Sequence, residues 1–389
     1  MKIYEIGTGY TPIPAQMGAA TEIVVEELTR AFQKKNADVT LLDIQACDRK
    51  PNTLPIVEVP VLKYFSGTDV KLGLMHKLKR VVYSVSLANT LKRILQDSKE
   101  QIVLHFHNQY NLFFFLKLVS PKLRAKARIA YTVHSYIWPG EWSEIEATVK
   151  KRYFQEIFCV KNADYVLVLN KKTAAHFTRH LGVPKERIYM VGNGVNTDTY
   201  HALEKDAEEL RKQLGFANQK IIFQVGSVCD RKNQLGVLTM LKEYLRAHTD
   251  TIYAYAGGVI DPEYQNTLLR FAQENGLQEQ VRYLGELCPG EELNGYYNAA
   301  TVTVFPSRIE SFGLVIIESL AAQTPVILAE RPLFPLDIGW NVYSSEDEFI
   351  RLVDACVHSS RKEQSARDAV IKYYSWDKIA EDHLAIWNK

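Results

Sequence analysis

The sequence predicts an α/β protein built from two doubly wound parallel-sheet domains in tandem. Two observations carry that expectation. At 389 residues, 47% of them hydrophobic, the chain is too long for one ordinary core and apolar enough for two. Short β-rich segments alternate with helical ones over the first half, pause near residue 197, and then begin the same alternation again.

Taken in order, "KIYEI" (2–6) is the first strand, followed by a loop with two prolines. "AATEIVVEELTRAFQKK" (19–35) then repeats its apolar residues at helical spacing, so strand, loop and helix open a βαβ unit. "DVTLLDI", "QIVLHFHN", "RIAYTVHS" and "DYVLVLN" continue the series. "VPKERIYMVGNGVNTDTY" (183–200) combines a strand with turn residues, which places a boundary near 197. The second cycle runs through "KIIFQVGSV", "DTIYAYAGG", "VRYLGEL", "ATVTVFPS" and "PVILAE". The predicted domains are therefore 1–197 and 198–372, with "YYSWDKIAEDHLAIWNK" (373–389) as one closing amphipathic helix. Open parallel sheets bind ligands beyond the carboxyl ends of their strands, so two such domains facing each other across a cleft are expected to hold a substrate there.

No apolar stretch approaches the roughly 20 residues that span a bilayer, and "MKIYEIGTGY" lacks a secretory apolar region. Five scattered cysteines without a C-x-x-C pair argue against a disulfide framework or a zinc site. A reducing cytoplasm is the expected location. Net charge is +2, but residues 1–200 hold 28 Lys and Arg against 18 Asp and Glu, whereas the remainder holds 19 against 27. Basic clusters at 77–80, 121–128 and 150–152 are either solvated helix faces or an approach to an anionic membrane surface. No nucleic-acid partner is expected.

"IGTG" (6–9) is an incomplete dinucleotide fingerprint, because the position of the third glycine is Pro12. Gly18 precedes the first helix and is either a simple turn or a place where an anion meets free helix amides. His134 in "YTVHSY" stands at a strand end, as a structural residue or facing the cleft. His105 and His107 share one strand face, and without a nearby carboxylate pattern they read as structural rather than as metal ligands.

The segment "RIESFGLVIIES" (308–319) raises a sharper question, since it places Glu310 just before an apolar helix and Glu318 inside it. Burying charge is costly unless it is paired or hydrogen-bonded, so two carboxylates here point to a polar ligand or a structural partner. With "ATVTVFPS" as a strand, Arg308 to Ser311 form the loop at its carboxyl end, and Phe312, Gly313 and Leu314 begin the helix with free amides. Carboxylates at two depths suit the hydroxyls of a polyhydroxylated ligand, while a helix start attracts its phosphates. Lys232, with Arg231 beside it, follows the first strand of the second domain and offers a fixed positive charge to a pyrophosphate; taken alone it also reads as a surface lysine.

Together these motifs resemble the retaining glycosyltransferase family 4, of GT-B architecture. The likeness spans nearly the whole chain and is carried by "ESFGLVIIE", "VGNGVNTDTY", "VRYLGEL", "VFPS", "RKNQ" and "YYSWDKIAE" in order. The resemblance implies that Glu310 binds hydroxyls of a donor sugar and Glu318 the ribose of its nucleotide. It implies backbone amides from Phe312, Gly313 and Leu314, with Ser311 and Gly18 also at the substrate. Lys232 would neutralise the leaving diphosphate, Gly285, Glu286 and Leu287 would line the base pocket, and His134 would contact the sugar. No metal or other cofactor is implied; the co-substrate is a nucleoside-diphosphate sugar, with a UDP-sugar favoured, and the acceptor a glycan or lipid-linked molecule. A catalytically idle GT-B binding partner of an active paralogue is the alternative, because Ser227 stands where the family usually has Arg and residues 331–347 replace its usual Gly-rich loop. A phosphorylase of this architecture would need a lysine for pyridoxal phosphate, and no motif supports one.

Overall fold

The computed structural model describes residues 1–15, 20–66, 73–134, 142–205, 207–217, 219–307, 310–332, 338, 340–359 and 363–389. Gly18 lies outside them. The chain forms two compact units, Met1–Gly194 with Trp376–Lys389, and Val195–Ser375.

The first unit contains strands β1 (Lys2–Ile6), β2 (Asp38–Ile44), β3 (Ile56–Val59), β4 (Ile102–Phe106), β5 (Ala127–Val133), β6 (Tyr165–Val168) and β7 (Ile188–Met190). They form one sheet in the order β3-β2-β1-β4-β5-β6-β7, every neighbour parallel. The order reverses between β1 and β4, which makes their carboxyl ends the switch point where such sheets bind ligands. On one face Ile6, Leu104, Phe106 and Tyr131 meet Tyr83, Leu87 and Phe115 from helices Gly73–Asp97 and Gln109–Leu118 in a continuous core. The second of these helices starts where it does because the Asn108 side chain accepts the Tyr110 N–H at 2.8 Å.

The other face is covered by helix Ala20–Lys34, which buries Val24, Val25, Leu28, Ala31 and Phe32 along one stripe, and by the closing helix Trp376–Trp387. Phe32 and Trp387 touch at 5.3 Å between ring centroids and are fully buried. Full burial of a side chain such as Phe32 contributes roughly 1.5–3 kcal/mol. Lys34 pairs with Asp377 at 2.7 Å across the outside of the same two helices, a contact of small energetic value at that exposure.

The single closing helix expected over 373–389 is two. Helix Gln364–Tyr374 stops at Ser375, whose ψ of 146° is extended, and helix Trp376–Trp387 begins afresh. The break is fixed by Val195, which donates its N–H to the Tyr374 carbonyl at 2.8 Å.

The second unit contains β8 (Lys220–Val225), β9 (Thr251–Ala256), β10 (Val281–Tyr283), β11 (Val302–Phe305), β12 (Val326–Leu328) and β13 (Asn341–Val342). Their order is β10-β9-β8-β11-β12-β13, again all parallel, with the switch point between β8 and β11. Ile222, Tyr253, Tyr255, Val302 and Val304 pack against Leu238, Leu241, Leu245, Phe349 and Val353. Two short strands escape the sequence pattern: β3, with two exposed residues among its four, and the two-residue β13 inside the segment 331–347.

Candidate functional site

In the second unit the chain leaves β8 at Gly226 and makes a short 3-10 turn over Asp230–Lys232. Asn233 then adopts a left-handed conformation before helix Gln234–Ala247. The Lys232 carbonyl is held by the Gln224 side-chain amide at 2.7 Å. The lysine stem runs back over Gly226, where a Cβ would lie 3.3 Å from its Cδ and Cε. A glycine there leaves room for the stem to lie along the strand end. The ammonium donates to Glu310 Oε1 at 2.7 Å, and Arg231 Nη1 donates to the same oxygen at 2.6 Å. Glu310 stands past the end of β11, so this triad occupies the β8/β11 switch point. Its other oxygen, Oε2, has no hydrogen bond from any described residue. Two cations share one carboxylate, so the cluster keeps one unit of positive charge, which suits an anionic ligand.

The loops next to it form a wall of glycines. A Cβ on Gly257, whose φ is +140°, would sit 2.3 Å from the Gly226 carbonyl oxygen, and the Gly257 N–H donates to the Gly285 carbonyl at 2.8 Å. A Cβ on Gly258 would lie 3.5 Å from the Glu286 carboxylate. Gly285 and Glu286 are thereby joined to the ends of β8 and β9, and Leu287 follows them, half-buried. Gly285 has a φ of +78° with open space where a side chain would be.

The helix after β11 starts at Leu314, not at Phe312. Gly313 has a φ of +94°, outside helical geometry, so it caps the helix instead of joining it. Phe312 is buried, its ring edge-on to Tyr374, and Ser311 lies half-buried beside it. No side chain caps this N-terminus. Glu318 accepts a hydrogen bond from the Tyr297 hydroxyl at 2.9 Å, and burial pushes its carboxyl up to about 7. Lys232, Arg231 and Glu310 are thus in direct contact, whereas Glu318 is tied to Tyr297.

In the first unit His134 is not isolated. The parallel register sets Glu5 beside His105 across β1 and β4, and the alternation of the pleat brings His107, Thr132 and His134 to the same face. Glu5 Oε1 lies 2.8 Å from His105 Nδ1, and Oε2 lies 2.7 Å from His107 Nε2. His105 Nε2 meets the Thr132 hydroxyl at 2.8 Å, and His107 Nδ1 meets His134 Nε2 at 3.0 Å. Trp387 and His383 of the closing helix pack over His105. Burial alone would push the Glu5 carboxyl up, but the pull of His105 and the bonds from both rings hold it below the usual carboxylate range. Burial and the adjoining His105 push His107 down to about 4, and burial pushes His134 well below its ordinary value.

The expectation that no carboxylate accompanies His105 and His107 is therefore corrected. Glu5, the carboxylate, comes from a different strand, and strand register is not written in local spacing. Glu5, His105 and His107 offer three ligand-type atoms within 4.8 Å of one another, the one such group among the described residues. All three atoms are engaged in hydrogen bonds within the group.

The basic segment 77–80 is also corrected. Lys79 is buried, and the Arg80 guanidinium stacks on Tyr110 with its carbon 3.5 Å from the ring centroid, leaving Lys77 as the exposed charge.

Two parallel Rossmann-like sheets with polar groups at their switch points define a class, and solved structures assign it. Sucrose-phosphate synthase from Thermosynechococcus elongatus superposes with a TM-score of 0.75 at 19% identity, covering 100% of this chain and 98% of that one. HepE from Anabaena, solved with UDP and glucose, gives 0.72 at 15% identity over the whole of both chains. The fold is GT-B.

Residues 21–199 match the family model "Glycosyltransferase Family 4", and residues 206–338 match "Glycosyl transferases group 1". The chain belongs to the family 4-like glycosyltransferases of GT-B architecture. D-inositol 3-phosphate glycosyltransferase 1 of Catenulispora acidiphila is 30% identical over 43% of this chain and 41% of its own length. The enzyme of Corynebacterium aurimucosum is 26% identical over 57% and 56%, so the matched region spans about half the length of these relatives. Spore coat protein SA of Bacillus subtilis is 22% identical over the full length of both chains.

Proposed function

We propose that this protein transfers a hexose-type sugar from a nucleoside-diphosphate sugar, a UDP-sugar by preference, to a glycan or lipid-linked acceptor of a surface polysaccharide or glycolipid. The proposal adds retention at the anomeric carbon and no requirement for a metal ion. The observation that carries it is the Lys232–Glu310–Arg231 cluster at the β8/β11 switch point.

When the sugar–phosphate bond breaks, negative charge builds on the departing diphosphate. A fixed ammonium and uncapped helix amides stabilise that charge without reorganising at the moment of reaction. Glu310 keeps Lys232 in place before the donor arrives and offers its remaining oxygen to sugar hydroxyls. Glu318 accepts the ribose hydroxyls, with Gly285, Glu286 and Leu287 beside the base. The diphosphate oxygen takes the acceptor proton, so the two glutamates orient the donor and do not act as a glycosidase acid–base pair.

For a lipid-linked acceptor, a surface of the first unit is suited to an anionic membrane. Leu74, Leu78 and Val81 recur at helical spacing on helix Gly73–Asp97 and are 79%, 46% and 42% exposed, with Lys77 among them. No helix among the described residues is long and apolar enough to cross a membrane.

A thermal-shift screen against UDP-, GDP- and ADP-sugars tests the donor assignment, because a ligand that binds only the folded state raises its melting temperature. Stabilisation by UDP-sugars above the other two supports it. No shift with any nucleotide sugar overturns it, and binding without turnover of any donor assigns the chain to an idle partner instead.

A further inference from the structure

The hydrogen bonds around Glu5 have a direction, and that direction ends at His134. An ionised carboxylate only accepts, so His105 must donate through Nδ1–H and His107 through Nε2–H. A neutral imidazole carries one proton. His107 therefore presents a bare Nδ1, and the 3.0 Å contact there is satisfied only if His134 donates its Nε2–H. The same logic leaves His105 Nε2 bare to accept the Thr132 hydroxyl proton. With the opposite tautomer of His134, two lone pairs would face each other at that distance.

We propose that Glu5 and His107 are positioning residues that fix the tautomer of His134, so that its Nδ1 is held as a hydrogen-bond acceptor for a hydroxyl of a polyhydroxylated substrate. No described residue hydrogen-bonds to that nitrogen. The proposal rests on the sugar-transfer reading only for the identity of the hydroxyl. The orientation itself follows from the three buried groups, of which Glu5 and His105 are fully buried and His107 is 4% exposed.

The closing helix matters to this arrangement. His383 donates Nδ1–H to the Ile379 carbonyl at 2.7 Å, so it holds its own proton locally, and Trp387 covers His105. The relay is closed to water on that side, and a dry relay keeps one proton arrangement instead of averaging over several. A cation held by Glu5, His105 and His107 would reverse the result. It would take the Nε2 lone pair of His107, move that ring's proton to Nδ1, and force His134 into the Nδ1–H form.

Nitrogen NMR of the ligand-free, 15N-histidine-labelled protein reads the tautomer directly, with the His134 signals assigned by their loss in His134→Gln. The expected spectrum shows a protonated Nε2 and a bare Nδ1 for His134 at neutral pH. A protonated Nδ1, or a doubly protonated ring, overturns the proposal. In His107→Phe the acceptor facing Nε2 is gone, so His134 is expected to show a mixture of tautomers. Sugar transfer is expected to slow about tenfold, the worth of one hydrogen bond, with UDP affinity unchanged. An unaltered single tautomer in that variant overturns the positioning role. If His107→Phe does not fold, the wild-type spectrum still decides the proton arrangement. Because the spectrum needs no turnover, an enzyme inactive on every donor overturns the proposed function and leaves this inference standing on its own result.

Discussion

Lys232 Nζ lies 2.7 Å from Glu310 Oε1, and Arg231 reaches the same oxygen at 2.6 Å, so the ligand-free site stores its positive charge against one carboxylate. On the proposed donor site, a diphosphate would have to compete with Glu310 for those cations. Glu310→Gln is therefore expected to bind UDP at least as tightly as the wild type, while UDP-sugar turnover falls. Calorimetry with UDP checks this, and a loss of UDP affinity of about tenfold or more would place Glu310 on the wrong ligand.

If Glu318 holds the ribose as proposed, nucleotide binding is expected to depend on pH. Its carboxyl sits at about 7 in the free protein, and ribose hydroxyls donate to the ionised form. UDP affinity is expected to rise as pH climbs from 6 to 8 and to flatten in Glu318→Gln. An unchanged pH profile in that variant rules out Glu318 as the group responsible.

The same shift has a consequence for stability. A carboxyl whose folded pKa is raised favours folding below its unfolded pKa, near 4.5, and that contribution is lost as pH rises towards 7. Glu318→Gln lacks this loss. Relative to the wild type it should gain stability between pH 4.5 and 7, as read from denaturant midpoints across that range. A difference independent of pH would contradict the burial of this carboxyl.

Gly313 is required by its backbone. At a φ of +94°, with a Cβ 2.9 Å from Ile316 Cδ1 and 3.3 Å from Phe305 Cζ, alanine is both strained and crowded. Gly313→Ala is expected to destabilise the protein by about 1–3 kcal/mol, visible as a lower melting temperature. A melting temperature equal to the wild type would mean that this turn relaxes freely.

Leu74 and Leu78 provide the membrane test. Binding to anionic vesicles is expected to weaken as salt rises and to drop when both are changed to Ser. Equal partition onto neutral vesicles removes the charge argument.

Much of this was legible in the sequence because the information is local. Parallel strands buried on both faces read as short apolar runs, and all but β3 and β13 announced themselves that way. The Lys232 and Glu310 pair was legible because each follows a strand of predictable position. Glu5 was not: its role depends on β1 lying in register with β4, a pairing about 100 residues apart in sequence, and "KIYEI" alone gives no sign of it. The burial of Lys79 and the stacking of Arg80 were equally hidden, since a run of four residues with three cations looks solvated until its helix is docked. The last site helix starts at Leu314 and not at Phe312 because Gly313 takes a left-handed φ of +94°, a backbone choice that the residue type permits but does not dictate.

The most direct measurement is turnover of a nucleotide-sugar panel by the wild type, Lys232→Ala and Glu310→Ala proteins. The wild type is expected to release nucleoside diphosphate from a UDP-sugar, and kcat to fall roughly 10²–10³-fold in Lys232→Ala, the cost of removing one charge-stabilising donor. Undiminished turnover in both variants would contradict the proposed site.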